Sequence, residues 1–322
     1  MIKDTIISSK LPTEIVVPSK PESKNSYYVV PIIPTPFTVK EEIDEQGLRD
    51  LIEFAISNGI KAACLPAYAS EFYKLTDNEK LQVVRIAIDQ SAGRMQIMAQ
   101  SNHPSLKVAI ELAQANIEAG ADVISLAVPR IFNLTEHSLK DYLSSFLQSI
   151  PDTPVLIQDF NPGGASISVG LIKRLMEEHS NFKFLKLEEP LCASKFEEII
   201  KATDGKIKLL EGWGGLYMLE LIPIGISGVM PGLGVSDILQ KVFNLRINGD
   251  NDKAFDLFEK VMPQIFFSLQ NMELFHYVEK ELLVARGVLK NSIVRKMSYR
   301  PDNSTKTYIK ELNERIVRLV NA

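Results

Sequence analysis

Eight short apolar runs between residues 27 and 230 alternate with stretches in which apolar residues recur with a helical period. The runs are continuous, which is typical of parallel strands buried on both faces. Eight such βα units predict a closed (β/α)8 TIM barrel, an α/β fold whose active site lies at the carboxyl ends of the strands. A doubly wound open sheet is the alternative, but no G-x-G-x-x-G motif follows the first run. The eight runs are YYVVPII, KAACLP, MQIMAQ, DVISLAV, PVLIQDF, FKFLKL, KIKLLEG and ISGVM.

Three segments with different patterns divide the chain. Residues 1–26 mix Lys, Ser, Glu and Pro without a sustained period, so we expect an N-terminal extension that carries no chemistry. The barrel is predicted to span residues 27–248. Residues 249–322 contain three helical stretches without a strand pattern, which predicts a C-terminal helical appendage.

Helix boundaries within the predicted barrel agree with this division. Thr76 and Thr135 each stand just before an acidic first turn, which is the pattern of a helix N-cap. Gly59 and Gly120 lie where helices should end, because glycine readily adopts the left-handed conformation of a helix C-terminus.

Composition limits the partners that the protein can have. Its 322 residues carry 36 basic and 40 acidic side chains without a basic block, so no nucleic-acid partner is expected. No segment reaches about 18 uninterrupted apolar residues, and the start lacks the apolar region of a signal peptide. We therefore expect no membrane partner. Cys64 and Cys192 have the apolar or small neighbours typical of buried free thiols, which favours a reducing compartment, the cytoplasm.

Lys186 lies inside an apolar run, where an ordinary lysine would not be expected. The two-residue period of a strand puts Phe182, Phe184 and Lys186 on one face, with the lysine near the carboxyl end. At the mouth of a barrel, desolvation favours the neutral amine, which can attack a carbonyl to form a Schiff base. Alternatively, Lys186 pairs with Glu188 or another carboxylate, or it points outward.

Other candidates lie near the carboxyl ends of the predicted strands. Glu188 shares the face of Lys186, whereas adjacent strand residues point to opposite faces. Trp213 stands among glycines that permit close approach of a ligand, although a loop packed on the barrel rim is the simpler interpretation. Pro231 belongs to a glycine-containing stretch after the eighth run. The four histidines lie too far apart in sequence to form a metal site, so we expect no metal and no other cofactor.

Six stretches have the order and spacing seen in one enzyme family. The chain resembles the dihydrodipicolinate synthase and N-acetylneuraminate lyase superfamily over roughly residues 28–300. The resemblance implies a (β/α)8 barrel with C-terminal helices and a homo-oligomer, commonly a tetramer. It also implies a 2-keto acid substrate such as pyruvate, bound as an imine of Lys186. The stretches are PIIPTPF at 31–37, LPAYASEFYKLTDNEK at 65–80, EAGADVISLAVPRIF at 118–132, PVLIQDFNP at 154–162, FLKLEEP at 184–190 and GISGVMPG at 225–232.

The loop that holds the substrate carboxylate in this family is altered here. In place of Gly-Thr-Thr-Gly-Glu the chain has Ala67, Tyr68, Ala69, Ser70 and Glu71. We expect the last three to contact a carboxylate through the Ser70 hydroxyl and the amides that open the following helix. Tyr68 replaces the first threonine of the family's proton relay and is a candidate for that role; aromatic packing within the loop is the alternative.

The family's relay tyrosine, in the motif Tyr-Asn-x-Pro, aligns with Asp159, unless a shift of one residue puts Phe160 there. Asp159 is therefore a candidate acid or base, provided that its surroundings favour the protonated form. The alternative role is that of a turn or cap residue.

Two further family residues have no counterpart here. The tyrosine that reaches in from a neighbouring subunit aligns near Ile131, and Arg130 beside it is a candidate for contact with the substrate, against the simpler interpretation of an exposed arginine. Gly163-Gly164-Ala165 occupies the region of the arginine that grips a second carboxylate in family synthases. Dihydrodipicolinate synthesis is thus disfavoured.

Taken with the resemblance, these residues predict a Schiff-base lyase for a 2-keto-3-deoxy sugar acid, most similar to the dehydratases of such acids. Lys186 does not discriminate between dehydration and aldol cleavage, because both proceed through the same enamine. The alternatives are a pyruvate-dependent synthase and a non-catalytic protein that binds a 2-keto acid.

Overall fold

One parallel sheet organises the computed structural model, which describes residues 28–130, 134–160 and 167–322. Seven strands in these ranges pair in chain order, each parallel to the next. This order follows from the sequence, because a helix between consecutive strands returns the chain to the start of the sheet. The strands are β1 (Ala62–Leu65), β2 (Gln96–Gln100), β3 (Val123–Ala127), β4 (Val155–Phe160), β5 (Phe182–Glu188), β6 (Lys208–Glu211) and β7 (Gly228–Val229).

The first predicted strand contacts both edges of this sheet without becoming regular. Val29 forms a parallel bridge with Val229 of β7, and Ile32 forms one with Cys64 of β1. The amide of Val30 donates to the Val229 carbonyl at 2.9 Å, and the Cys64 amide donates to the carbonyl of Pro31 at 3.0 Å. Pro31 has no amide hydrogen, which limits a continuous ladder here. Seven of the eight predicted strands are therefore confirmed as regular elements in the described ranges.

Helices alternate with the strands up to α8, and three more follow. No helix in the described ranges combines the length and apolar character needed to cross a membrane. The helices are α1 (Glu45–Ser57), α2 (Asp77–Ser91), α3 (Leu106–Ala119), α4 (Glu136–Ser149), α5 (Val169–Glu178), α6 (Ala193–Thr203), α7 (Met218–Leu221), α8 (Ser236–Ile247), α9 (Asn251–Ser268), α10 (Met272–Ala285) and α11 (Asn303–Val320). The three predicted C-terminal helices are confirmed as α9, α10 and α11; the predicted extension, residues 1–26, lies outside the described residues.

The predicted helix ends are confirmed. The Thr76 hydroxyl accepts the Glu79 amide at 3.3 Å, while the Glu79 carboxylate accepts the Thr76 amide at 2.8 Å, which is a reciprocal capping box. Thr135 caps α4 by accepting the Ser138 amide at 3.1 Å. Gly120 ends α3 with a φ of +104°, a conformation that strains other residues. Gly59 follows the last turn of α1 with a φ of +77°.

Side chains divide between the two faces of the sheet as the strand period requires. The large core lies between the sheet and its helices. A smaller cluster fills the inner face and includes Met98 of β2, Leu156 of β4 and Phe184 of β5. The next inward position on each of these three strands is polar, and together these positions form the site described below.

One prediction for β5 is wrong. Phe182 packs in the outer core, whereas Phe184 packs on the inner face, so they do not share a face. The register explains this, because Val155 pairs with Phe182 while Leu156 pairs with Phe184, leaving Lys183 as an extra residue. Lys186 keeps the inward face of Phe184, as predicted.

A buried ion pair attaches the C-terminal helices to the loop after β1. Lys280 of α10 donates to the Glu71 carboxylate at 2.6 Å and to the Ile293 carbonyl at 2.8 Å. Lys74 also contacts Glu71, at 3.1 Å. Burial lowers the pKa of Lys280 to about 8, although the Glu71 carboxylate opposes this shift, so the amine still carries a proton at neutral pH. The pair holds α10 over the carboxyl ends of the strands.

We expect Lys280→Met to lower the free energy of unfolding by about 3 kcal/mol, because it leaves the buried Glu71 carboxylate with less charge compensation. Urea unfolding followed by circular dichroism measures this change. The control is Lys253→Met, which removes the partner of Asp250 in a surface pair and should change stability by less than about 1 kcal/mol. Equal effects of the two variants would contradict a structural role for the Glu71 pair.

Candidate active site

Lys186 lies at the carboxyl end of β5 with its side chain directed into the inner face of the sheet. The residue is 5% exposed, and its amine lies 2.9 Å from a carboxylate oxygen of Glu188, which is 6% exposed. Two residues apart on one strand, the two side chains share a face. The pairing with Glu188 considered from sequence is thus present, and it occurs inside a pocket rather than on the surface.

Two glutamines extend this pair across the sheet. The Gln158 side chain donates to Glu188 at 2.7 Å, and Gln100 donates to the Gln158 side-chain oxygen at 2.6 Å. The Gln100 side-chain oxygen is buried and has no hydrogen-bond partner in the described part of the chain. Sequence reasoning missed both glutamines. The available signal was that each follows an inward apolar residue by two positions, near the carboxyl end of its strand.

A pocket opens above this network. Five predicted site residues line it, namely Lys186, Tyr68, Ala69, Glu188 and Pro231. Its remaining lining is largely apolar or glycine, with Gln158 as an additional polar group. The other lining residues are Ile32, Ala67, Phe160, Gly212, Gly214, Met230, Gly232, Leu269, Met272 and Phe275. The last three come from the C-terminal segment, which therefore forms part of the wall.

Gly212 allows the Lys186–Glu188 pair to fit under the loop after β6. A Cβ atom at position 212 would lie 2.2 Å from Cγ of Glu188 and 2.6 Å from Cε of Lys186. Real Cβ atoms do not approach other atoms so closely, and any side chain here would displace the pair. The absence of a side chain at Gly212 therefore permits a close approach at this loop, as expected from the sequence. The groups that approach are the protein's own Lys186 and Glu188 side chains.

Tyr68 lies in the pocket wall and faces an aromatic ring of β4. Its ring centroid is 5.9 Å from that of Phe160. Burial raises the pKa of the Tyr68 phenol, and the Glu188 carboxylate adds to the rise, while contact with the Asn102 amide opposes it. Tyr68 therefore keeps its proton at neutral pH.

Phe160, rather than Asp159, occupies the inward position on β4. Asp159 is fully buried on the opposite face, where its carboxylate pairs with Arg130 and accepts the Ile167 amide at 2.7 Å. Lys195 lies 3.9 Å from the same carboxylate. The structure thus brings Asp159 and Arg130 together and does not bring either to Lys186. Because side chains alternate between the two faces of a strand, a shift of one residue along β4 puts Phe160 instead of Asp159 at the inward position.

Ser70 and Glu71 are engaged in supporting the loop. The Ser70 hydroxyl accepts the Ala67 amide at 3.0 Å and donates to the Ile33 carbonyl at 2.5 Å. Glu71 pairs with Lys280, as described above. Neither residue lines the pocket. Ile131 and the stretch 163–165 lie outside the described residues.

The loop after β6, which contains Trp213, is held by the side chain of Glu211. The Glu211 carboxylate accepts the amides of Trp213 at 3.0 Å and Gly215 at 2.8 Å. Burial raises the pKa of Glu211 to about 7 despite these hydrogen bonds, and the charge of Glu188 adds to the rise. Trp213 does not line the lysine pocket, and its indole nitrogen is buried without a hydrogen-bond partner in the described chain.

No group of three metal-binding side chains is present within residues 28–130, 134–160 and 167–322. Cys64 and Cys192 are both buried free thiols, as predicted. The polar side chains that line the pocket are those of Lys186, Glu188, Gln158 and Tyr68.

Known proteins share both the sequence pattern and the fold. The sequence matches the dihydrodipicolinate synthetase family over residues 25–314. The L-2-keto-3-deoxyarabonate dehydratase of Azospirillum brasilense is 25% identical over 244 residues, which cover 74% of this chain and 78% of that protein. The 4-hydroxy-tetrahydrodipicolinate synthase of Methanocaldococcus jannaschii is 30% identical over 239 residues, 73% of this chain and 80% of that protein. The crystal structure of dihydrodipicolinate synthase from Rhodopseudomonas palustris is similar in fold, with a TM-score of 0.83 and 24% identity over 90% of this chain and 97% of that one.

Glu211→Gln tests the burial of the Glu211 carboxyl group. The unfolded chain releases this proton near its ordinary pKa of 4.5, whereas the folded protein releases it near 7. The wild type should therefore lose up to about 3 kcal/mol of stability from this group as the pH rises from 4.5 to above 7. The free energy of unfolding of the variant should therefore rise relative to that of the wild type over the same pH interval.

The measurement is urea unfolding of both proteins at pH 5 and pH 8. Glu198→Gln, at an exposed position of α6, is the control and should show no such gain. A difference between Glu211→Gln and wild type that stays constant between the two pH values would contradict a raised pKa.

Proposed function

Because the chain belongs to the dihydrodipicolinate synthetase family, we propose that Lys186 acts as the nucleophile of a Schiff-base lyase that uses a 2-keto acid. The observation that carries this proposal is the buried Lys186 amine, held 2.9 Å from a single carboxylate in a pocket at the carboxyl ends of the strands. A lysine that served only to pair with Glu188 would not need to line a pocket.

We infer further that residues 28–33 act as the eighth strand of a closed barrel. Their hydrogen bonds to both β1 and β7 support this interpretation. In a barrel the eight carboxyl ends converge on one face, which is where the family fold carries its active site. The polar ends of β2, β4 and β5 then surround one substrate.

The proposed substrate class is a 2-keto-3-deoxy sugar acid. Similarity to L-2-keto-3-deoxyarabonate dehydratase supports this class, and the stretch Gly163-Gly164-Ala165 has no arginine for the second carboxylate of a dihydrodipicolinate precursor. Similarity to 4-hydroxy-tetrahydrodipicolinate synthase keeps a pyruvate-dependent synthase as the alternative.

Dehydration and aldol cleavage would share their first steps. The Lys186 amine adds to the C2 carbonyl, water leaves, and a protonated imine remains. Loss of a C3 proton gives an enamine, from which a C4 hydroxyl departs as water in a dehydratase. In an aldolase, the reverse aldol step breaks the C3–C4 bond of the imine and gives the enamine directly. We propose that this protein is a dehydratase, because its sequence is similar to the L-2-keto-3-deoxyarabonate dehydratase of Azospirillum brasilense.

A non-catalytic keto-acid-binding protein is the second candidate, and one observation favours it. Phe160 faces the pocket at the inward position of β4, and its ring has no hydroxyl to transfer a proton. Saturable binding of keto-deoxy acids without any turnover would support this candidate. Turnover of any member of a panel of such acids would exclude it.

We also propose that the protein assembles as a homo-oligomer, a tetramer or a dimer, as its family membership implies. Sedimentation velocity at micromolar concentration should give a mass of two or four chains of 36.0 kDa. A monomer that persists at concentrations used for activity would contradict this expectation.

Lys186→Ala should abolish covalent trapping of pyruvate or a keto-deoxy acid by borohydride, because Lys186 is the only lysine among the described residues that line the pocket. Intact mass measures the reduced adduct. Turnover in the variant should fall below detection, while its circular dichroism spectrum should match that of the wild type.

The matched control is Lys183→Ala, on the same strand but exposed outside the pocket. It should form the adduct as fully as wild type does. Trapping that survives in Lys186→Ala would identify another amine as the nucleophile and would refute the proposed role of Lys186.

A further inference from the structure

We infer that Glu188 is the acid and base catalyst of this site, moving the C3 proton on the face where the imine forms. The inference rests on the proposed Schiff-base function and deepens it. It assigns to a carboxylate of β5 the proton transfer that the resemblance to the family would place on a tyrosine of the preceding strand.

Glu188 lies close to the position where a substrate imine would form. Its Oε1 atom lies 2.9 Å from the Lys186 amine, and both residues line the pocket. An imine on Lys186 places the C2 atom of the substrate one bond from the nitrogen and C3 two bonds from it. A carboxylate within hydrogen-bond distance of the nitrogen is therefore also close to C3, where a catalytic base must be.

Glu188 is also fixed in position. Gln158 donates to the second oxygen of Glu188 at 2.7 Å, and Gln100 in turn donates to Gln158 at 2.6 Å. Gly212 leaves just enough room for the carboxylate beside the lysine. One carboxylate oxygen thus accepts a hydrogen bond from Gln158, and the other is directed at the amine. Such preorganisation is what proton transfer at a substrate requires.

Neighbouring titratable groups are engaged elsewhere or are unsuited to removing a proton from C3. Asp159 points to the other face and pairs with Arg130. Glu211 binds backbone amides of the loop after β6 and does not line the pocket. Burial keeps the Tyr68 phenol protonated, so it suits donation of a hydrogen bond rather than removal of a proton. The pocket lining in the described residues contains no carboxylate other than Glu188.

The step balances without a further reactant. The Glu188 carboxylate takes the proton from C3, the C3–H electron pair becomes the C2–C3 double bond, and the imine π pair returns to the Lys186 nitrogen. The product is a neutral enamine with a protonated Glu188. In a dehydratase this carboxylic acid then gives its proton to the departing C4 hydroxyl, which leaves as water while the imine re-forms with a new C3–C4 double bond.

The test separates imine formation from proton transfer by using pyruvate as the probe. Borohydride trapping followed by intact mass reports the imine, and exchange of the pyruvate methyl protons with D₂O, followed by NMR, reports the enamine. Glu188→Gln should still form the trapped adduct but should exchange protons about 10²- to 10⁴-fold more slowly than wild type, the usual contribution of a general base.

Glu189→Gln is the matched control, because Glu189 is the next residue and pairs with Lys195 at 3.1 Å. It should form the adduct and exchange protons as the wild type does. If Glu188→Gln forms the adduct and exchanges within a few-fold of wild type, the base is another group and the inference is overturned.

A second variant covers the case in which Glu188→Gln forms no adduct. Glu188→Ala leaves space for a small carboxylate, and added formate should restore exchange in it if Glu188 acts as a base. Absence of rescue by formate would then overturn the inference. Absence of any lysine-dependent adduct in the wild type would instead refute the Schiff-base function itself, so the two failures are distinguishable.

Discussion

The site depends on the contact between Lys186 and Glu188, two charged groups that are almost completely removed from water. Burial of either charge alone would be strongly unfavourable, and a partner within hydrogen-bond distance offsets much of that penalty. The surroundings of the pair follow from this need. Gln158 satisfies the second carboxylate oxygen, and the missing side chain of Gly212 provides the space.

A second buried charge cluster connects this site to the C-terminal helices. Glu71 follows the pocket-lining residue Ala69 by two positions, and its partner Lys280 comes from α10. The same C-terminal segment supplies Leu269, Met272 and Phe275 to the pocket wall. The C-terminal helices therefore form part of the pocket wall. The pocket-lining residues of this segment lie only a few positions before Lys280, which anchors the segment to Glu71.

Strand and helix patterns made much of this arrangement predictable. Continuous apolar runs identified the strands, threonine caps fixed two helix starts, and the strand period correctly directed Lys186 and Glu188 to one face. The same reasoning was less successful for Asp159, because its face depends on the register of one strand end, and the inward residue is Phe160. Ser70 and Glu71 were expected to meet a carboxylate, but tertiary contacts with Ile33 and Lys280 engage them.

The amino-acid sequence by itself determined the order of strands and helices and the lysine at the carboxyl end of β5, because these depend on periodicities of two and 3.6 residues within short segments. Only the tertiary structure decided which groups from other elements surround that lysine and Glu188. Gln158 and Glu188 are 30 residues apart, and Glu71 and Lys280 are 209 apart. Such contacts arise when parallel strands align their ends and a distant helix docks on them. The pattern of a short segment does not specify a partner that is distant in sequence, because such a contact forms only when the whole chain packs.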